Sequence, residues 1–404
     1  MKKKFFVYSL FILIFLTYTS LAVKWQFSPY LLIKNLKQNL KLTFSPSFIN
    51  TDELTLGPDN SLNKNIGSII NLNNPKLTKS IILNSFKFEF GKIDVKGLGK
   101  IGAAELSGKN IWFINQDDYQ LIKQLNLEKM INFNGGIKSI FSLGSKNFVY
   151  VTYIKDSCAS ARLIDLNSMK VAIQFSCLPN PDNADLNGAG GGWLKLSDNE
   201  GLLAIGTPTS GNVNDGINLL AQSHQSLWGK ILKLSIVNDK LMVEIFSHGH
   251  RNPQGIARIG KDIFAVEHGP MGGDEINIIK KNLNYGWPLQ SLGSQYDLGS
   301  INKSFDKPVK TEPPLLSFVP SIGLSYIDKC PKSYHDYYLP NQCVAVSSMR
   351  GESIDFIVHK NNKILFSEKM KIESRIRKFF VRGNTIVAVT DFEGIIIGNL
   401  TKLN

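Results

Sequence analysis

The sequence predicts an all-β fold, and three observations predict it. Short runs of β-branched and aromatic residues recur along the chain: Ile111 to Ile114, Phe148 to Ile154, Leu202 to Ile205, Ile263 to Val266 and Ile386 to Val389. Each run follows a tight polar turn: Gly108-Lys109-Asn110, Gly144-Ser145-Lys146-Asn147, Asp198-Asn199-Glu200-Gly201, Gly260-Lys261-Asp262 and Gly383-Asn384. Few convincing amphipathic helices lie between them. Turn followed by strand, repeated, is the pattern of antiparallel sheets, and a sandwich, a large barrel and a propeller all satisfy it. Length favours the propeller: roughly 330 residues divided among six blades gives about 55 per blade, near the kelch-type period.

In chain order, Lys2, Lys3 and Lys4 precede an uncharged, mostly apolar stretch from Phe5 to Val23, and Ser20-Leu21-Ala22 places small residues where a signal peptidase cuts. Residues 1–22 therefore read as a secretory signal peptide or an uncleaved membrane anchor. The stretch is close to the roughly 20 residues that span a bilayer, and its basic flank stays on the cytoplasmic side, so the body of the protein is expected to be exported, periplasmic or extracellular. Membrane contact is expected only through an uncleaved N-terminal segment. Residues 23–80, rich in Asn, Ser, Leu and Lys with weak periodicity, read as a divergent extension, and residues 81–404 as the propeller.

Composition narrows the function classes. The chain has 404 residues, 43% hydrophobic, with 33 Gly and 4 Cys. That excludes intrinsic disorder, collagen-like sequence and a disulfide-dense miniprotein. Lys and Arg number 46 against 33 Asp and Glu, a net charge of +13 that falls to +10 if the first 22 residues are removed. Only 20% of residues are charged, so the excess reflects a shortage of acids. The lysines are dispersed, with no basic stripe interleaved with aromatics, which speaks against a nucleic-acid partner. The cysteines form two local couples, Cys158 with Cys177 and Cys330 with Cys343. Four cysteines allow three pairings, and loop-closure entropy favours these local ones, each worth roughly 3 kcal/mol. None has the spacing of a zinc site.

One segment is far more specific than the rest: His248-Gly249-His250-Arg251-Asn252-Pro253-Gln254-Gly255, then Glu267-His268-Gly269-Pro270-Met271-Gly272-Gly273-Asp274-Glu275-Ile276-Asn277, then Asn284-Tyr285-Gly286-Trp287-Pro288. Glycine and proline at Gly269-Pro270 and Gly272-Gly273 can turn carbonyls toward a ligand, while Asp274 and Glu275 add hard anionic oxygens, a combination suited to Ca²⁺. A solvent-facing hairpin would also carry Gly-Gly-Asp-Glu; the order and spacing of all three blocks set this one apart.

The constellation resembles the glucose/sorbosone dehydrogenase family, exported six-bladed quinoproteins that use pyrroloquinoline quinone (PQQ) and calcium. Further likeness comes from Leu227-Trp228-Gly229-Lys230-Ile231-Leu232, Met349-Arg350-Gly351, Arg375-Ile376-Arg377 and Thr390-Asp391, so that the match covers about residues 185–400. The resemblance implies that Arg251, Asn252, Arg350, Arg375, Arg377 and Thr390 contact PQQ, whose three carboxylates suit bidentate guanidinium donors. It implies that the carbonyls of Gly269 and Pro270 hold the cofactor's Ca²⁺, which would polarise the quinone carbonyl. Asp274, Glu275 and Tyr285 match a second, structural calcium site. The implied activity is oxidation of a sugar or polyol by hydride transfer to PQQ, with the electron acceptor left open.

The pattern breaks at the base. The family carries a histidine in a His-x-Gly-Gly-Arg-Leu strand, oriented by an aspartate at the end of the next strand. Aligning Gly191-Gly192 puts Ala189 at the histidine and Trp193 at the arginine, and the next strand ends in Gly206-Thr207. No histidine lies between Lys109 and His224, so no shift of alignment restores the base. A positioned base contributes about 10² to 10⁴ in rate, roughly 3 to 5 kcal/mol. His224, in Gln222-Ser223-His224-Gln225, is the remaining candidate, against its reading as an exposed loop histidine. A propeller that binds PQQ, calcium or a carbohydrate at the cell surface without catalysis is the alternative function.

Overall fold

The computed structural model describes residues 66–403, apart from 73–75, 128–134, 180–181, 183, 210–215 and 295–308. The expected signal segment and most of the expected extension lie outside the described residues. Six sheets are arranged as the blades of a propeller. Their inner strands, in ring order, are Ile101–Ser107, Gly136–Leu143, Gly190–Lys195, Pro253–Ile259, Leu324–Lys329 and Ile376–Arg382, which define blades 1 to 6. The five sequence runs are all strands, and each is the second strand of its blade; the equivalent in blade 5 is Gln342–Ser348. Second strands pack against a neighbouring blade on both faces, which is why they read as continuous apolar runs rather than as alternation.

Ring closure joins the ends of the described chain. Ile395–Lys402 pairs antiparallel with Phe86–Ile93, from Ile395 opposite Ile93 to Lys402 opposite Phe86. Lys79–Ile82 extends that sheet, and Ser68–Asn71 pairs with Asn110–Asn115 in blade 1. Strands of the propeller therefore begin before residue 81, inside the stretch expected to be extension. Six apolar clusters fill the six gaps between adjacent blades; Phe88, Phe356 and Phe379 lie between blades 5 and 6, and Tyr150, Leu203 and Trp228 between blades 2 and 3. Burying an aromatic or aliphatic side chain stabilises by about 1.5–3 kcal/mol, so cohesion is spread around the ring. Both disulfides form as expected, Cys158–Cys177 across the outer part of blade 2 and Cys330–Cys343 within blade 5.

Candidate functional site

The inner strands begin on one face of the ring. Gly102, Lys138, Gly191, Gln254, Ser325 and Arg377, one from each blade and all within the first three residues of an inner strand, line a single axial cleft. A second recess adjoins Arg251 in blade 4, lined by Glu267, His268, Gly269, Glu275 and Tyr285.

Blade 4 holds its polar groups by dense hydrogen bonding. The Arg251 Nη1 donates to the carbonyls of His268 (3.1 Å) and Gly269 (2.7 Å), and the guanidinium lies 5.2 Å from the Trp287 ring. Asn252 Oδ1 accepts from the Gly190 N–H (3.2 Å) and from Gln254 (2.6 Å). Its Nδ2 is therefore the donor to His268 Nδ1 at 3.3 Å. That fixes the remaining imidazole proton on Nε2, which is buried with no hydrogen-bond partner. Burial, with Arg251 and Arg377 nearby, holds His268 below the usual histidine range despite Asp274, so it stays neutral at pH 7.

Glu267 is buried and accepts from Asn277 Nδ2 (2.8 Å) and the Arg251 N–H (2.8 Å), with His250 Nδ1 at 3.2 Å. Burial pushes its carboxyl up, but His250 and these bonds hold it below the usual range. Glu275 stands directly opposite Glu267 across the strand pair. Burial and the Glu267 charge push Glu275 up to about 8. A half-satisfied carboxylate pair in a recess is electrostatically short of a cation.

Asp274 departs from its expected role. Its Oδ1 accepts from the Gly269 N–H, and its Oδ2 from those of Ile322, Gly323 and Leu324, at 2.6–3.2 Å. Four donors fill the lone-pair directions of a carboxylate, so Asp274 ties the blade 4 turn to the start of blade 5 instead of facing a metal. The Tyr285 hydroxyl is likewise committed, donating to the Ile278 carbonyl and accepting from the Lys280 N–H, with its ring stacked on His250. Among the described residues no cluster of three or more His, Cys, Asp or Glu side chains has the arrangement of a metal site. A calcium ion here would have to lean on Glu275, Glu267, backbone carbonyls such as those of Gly269 and Pro270, and water.

The other expected cofactor contacts separate into two groups. Arg377 forms a bidentate pair with buried Asp391 (Nε–Oδ1 3.1 Å, Nη2–Oδ2 2.6 Å), and Asp391 also accepts from the Ile101 N–H, closing blade 6 onto blade 1. Thr390 is buried and its hydroxyl donates to the Gly394 carbonyl, which takes up its only proton. By contrast, Arg350 and Arg375 are exposed beside the strand starts of blades 5 and 6, Arg375 reaching toward the Met349 sulfur.

Ala189 and Thr207 stand side by side, as the alignment requires of a base and its orienter: the Gly206 N–H donates to the Ala189 carbonyl. Neither titrates. Ala189 is fully buried in the cluster between blades 2 and 3, and the Thr207 hydroxyl bonds the carbonyls of His250 and Arg251. Trp193 stacks on Phe141 at 3.8 Å. His224 is exposed, 4.9 Å from the His248 ring, and neither histidine lines the axial cleft. Burial, then His224, pulls His248 down to about 4.

Sequence reasoning passed over Lys138, a lysine inside the apolar run Gly136–Leu143. Its side chain is buried in the axial cleft. Burial, with Lys100 and Arg377 facing it, pulls its amine down to about 7, opposed by Asp185. Gln116 Oε1, in the same cleft, is buried with no hydrogen-bond partner. A charge interrupting a run of otherwise small and apolar residues was the available signal.

The family model described as glucose/sorbosone dehydrogenase matches residues 105–397. The chain is 34% identical over 156 residues to an aldose sugar dehydrogenase of Escherichia coli, covering 33% of this chain and 42% of the relative. It is 39% identical over 93 residues to quinoprotein glucose dehydrogenase B of Acinetobacter calcoaceticus, covering 20% and 18%, and 37% identical over 130 residues to an uncharacterised Synechocystis protein, covering 28% and 30%. The chain thus spans less than half the length of the curated relatives it matches. Among solved structures, the soluble aldose sugar dehydrogenase of Escherichia coli in its apo-form superposes with a TM-score of 0.56 at 18% identity, covering 83% of this chain and 99% of that one. A glucose dehydrogenase superposes with a TM-score of 0.51 at 20% identity, covering 67% and 83%. These superpositions agree on the propeller.

Proposed function

Because the chain belongs to the glucose/sorbosone dehydrogenase family, we propose that it is an exported, PQQ- and calcium-dependent dehydrogenase of aldose-type sugars that works without the family's histidine. The observation that carries this reading is the ring of inner-strand starts. It sets Arg377 on the axial cleft, and Arg251 with the buried His268 Nε2 donor on the adjoining recess, a lining matched to an anion rich in carbonyl oxygens. PQQ, when bound, supplies an ortho-quinone that accepts hydride. Arg251 and Arg377, with exposed Arg350 and Arg375 at the rim, provide guanidinium donors for its carboxylates. Glu275 and Glu267, with the Gly269 and Pro270 carbonyls, provide the oxygen-rich recess for Ca²⁺. His268, held neutral, donates a hydrogen bond without adding charge. The two disulfides favour an oxidising compartment and so support export.

A second reading, a propeller that binds PQQ, calcium or carbohydrate without turnover, is favoured by one observation: Ala189 and Thr207 offer no proton acceptor. Titration of the purified apo-protein with PQQ and calcium, followed by dye reduction with a panel of aldoses, separates the two. PQQ uptake with sugar-dependent reduction supports the dehydrogenase. Uptake without turnover leaves the binding protein, and no uptake removes both cofactor-based readings.

A further inference from the structure

We propose that Lys138 is the proton acceptor of this site, taking over from blade 2 the task that Ala189 and Thr207 cannot perform in blade 3; the inference rests on the dehydrogenase reading above. Lys138 sits on the inner strand of blade 2, directly beside the inner strand of blade 3. A Cβ built on Gly191 would lie 2.5 Å from the Lys138 carbonyl and 3.2 Å from the Lys138 Cβ, and Gly191 adopts φ +125°. The two backbones can meet this closely only because position 191 carries no side chain. Gly191 is two residues beyond Ala189, so Lys138 packs against the segment that directly follows the position of the family's base. The lysine side chain lines the axial cleft with Gly190, Gly191, Gly192 and Arg377. Lys138 therefore shares the cleft with the glycines that follow Ala189 and with Arg377.

The surroundings supply the protonation state that a base needs. Lys100 from the start of blade 1 and Arg377 from blade 6 face the amine and disfavour its charged form, as burial does; Asp185, before blade 3, works the other way. Arg377 is itself held by Asp391. Lys378, also at the cleft, donates to the Ala104 carbonyl over the Tyr326 ring. A base is most effective when its pKa lies near the working pH, and Lys138 is drawn down to about 7. In the step proposed, the sugar hydroxyl gives its proton to the neutral amine, which becomes an ammonium. The adjacent C–H bond breaks and its hydride passes to the ortho-quinone oxidant, so the sugar carbon gains a C=O double bond.

The test uses the full chain loaded with PQQ and calcium chloride. With saturating PQQ, K138M is expected to lower kcat for aldoses about 10² to 10⁴-fold while its PQQ affinity stays within a few-fold. Wild-type kcat should rise with pH through about 7, following the neutral amine. K138H should recover part of the loss with a midpoint shifted toward the imidazole range, and thermal unfolding of each variant checks that it folds. A readout independent of turnover is competitive reductive methylation of the apo-protein followed by peptide mass spectrometry: Lys138 should titrate near neutrality. Unchanged kcat in K138M, or labelling of Lys138 only in the range of ordinary lysines, overturns the proposal. So does loss of PQQ affinity without loss of kcat, which would make Lys138 a cofactor anchor. PQQ uptake by the wild type without oxidation of any aldose removes the base and leaves the cofactor site standing. Absence of PQQ uptake removes the dehydrogenase reading, and the base with it.

Discussion

Blade 4 and the junction of blades 2 and 3 border the same face of the propeller but are built in opposite ways. In the blade 4 segment from His248 to Pro288, polar groups are tied into one another: Asp274 holds four N–H groups, Glu267 is held by three partners, and Asn252 links Gly190 to His268. At the junction, Ala189, Tyr150, Leu203 and Trp228 pack into an apolar cluster, and Lys138 lines the cleft beside it. A saturated network positions atoms rigidly and resists change, whereas a buried ionisable group facing other charges has its protonation set by its surroundings. The first suits holding a cofactor or ion; the second suits moving a proton.

The contrast is broken most severely at Asp274. D274A should orphan four backbone donors and cost about 3–5 kcal/mol, given about 1–3 kcal/mol for each buried unsatisfied group and partial recovery by water; urea unfolding measures it, and D274N, which keeps an acceptor, should lose less. Next comes R377A, which strands buried Asp391 and should cost about 3–5 kcal/mol while also weakening PQQ binding, read in parallel by unfolding and titration. Restoring the family residue probes the apolar cluster. A189H forces a larger polar ring into a fully buried position and should destabilise by about 1–3 kcal/mol, seen as a lower Tm.

The Glu275 recess provides a pH test. Its carboxyl is raised from about 4.5 in the unfolded chain to about 8 in the fold, so the native state binds the extra proton. Stability of calcium-free protein should therefore be highest below about pH 4.5 with respect to this group and be lost as pH rises through about 8. Thermal unfolding across that window should flatten in E275Q, and calcium should reverse the loss. The smallest stability effect belongs to R350A and R375A. Both side chains are exposed, so unfolding should shift by less than about 0.5 kcal/mol, yet PQQ affinity should drop, separating rim contacts from the structural Arg377.

Much of the fold was legible because second strands announce themselves: buried on both faces, they are apolar at every position, as in Phe148 to Ile154. Blade 5 escaped because Gln342–Ser348 is built from small residues, Cys, Val, Ala and Ser, whose burial is not obvious from hydropathy. The early strands Ser68–Asn71 and Lys79–Ile82 escaped for a related reason, being short outer strands only partly buried. The blade 4 site was legible because its parts are close in sequence. Its inner bonding was not: nothing local distinguishes an Asp274 that grips N–H groups of the next blade from one that grips a metal.

By itself the sequence determined that the chain is all-β, that its cysteines pair locally, that it resembles the glucose/sorbosone dehydrogenases from about residue 185 onward, and that no histidine is available at the base position. Each of these depends on composition or on residues near one another in the chain. The tertiary structure decided that the sheets form a ring, because closure pairs Ile395–Lys402 with Phe86–Ile93 across some 300 residues. It also decided that Lys138 faces the cleft. Six inner strands contribute one to three residues each to the axis, so the site is assembled from positions scattered from Ile101 to Lys378. A lysine's protonation depends on which charges that assembly brings to it, and no stretch of sequence carries that information.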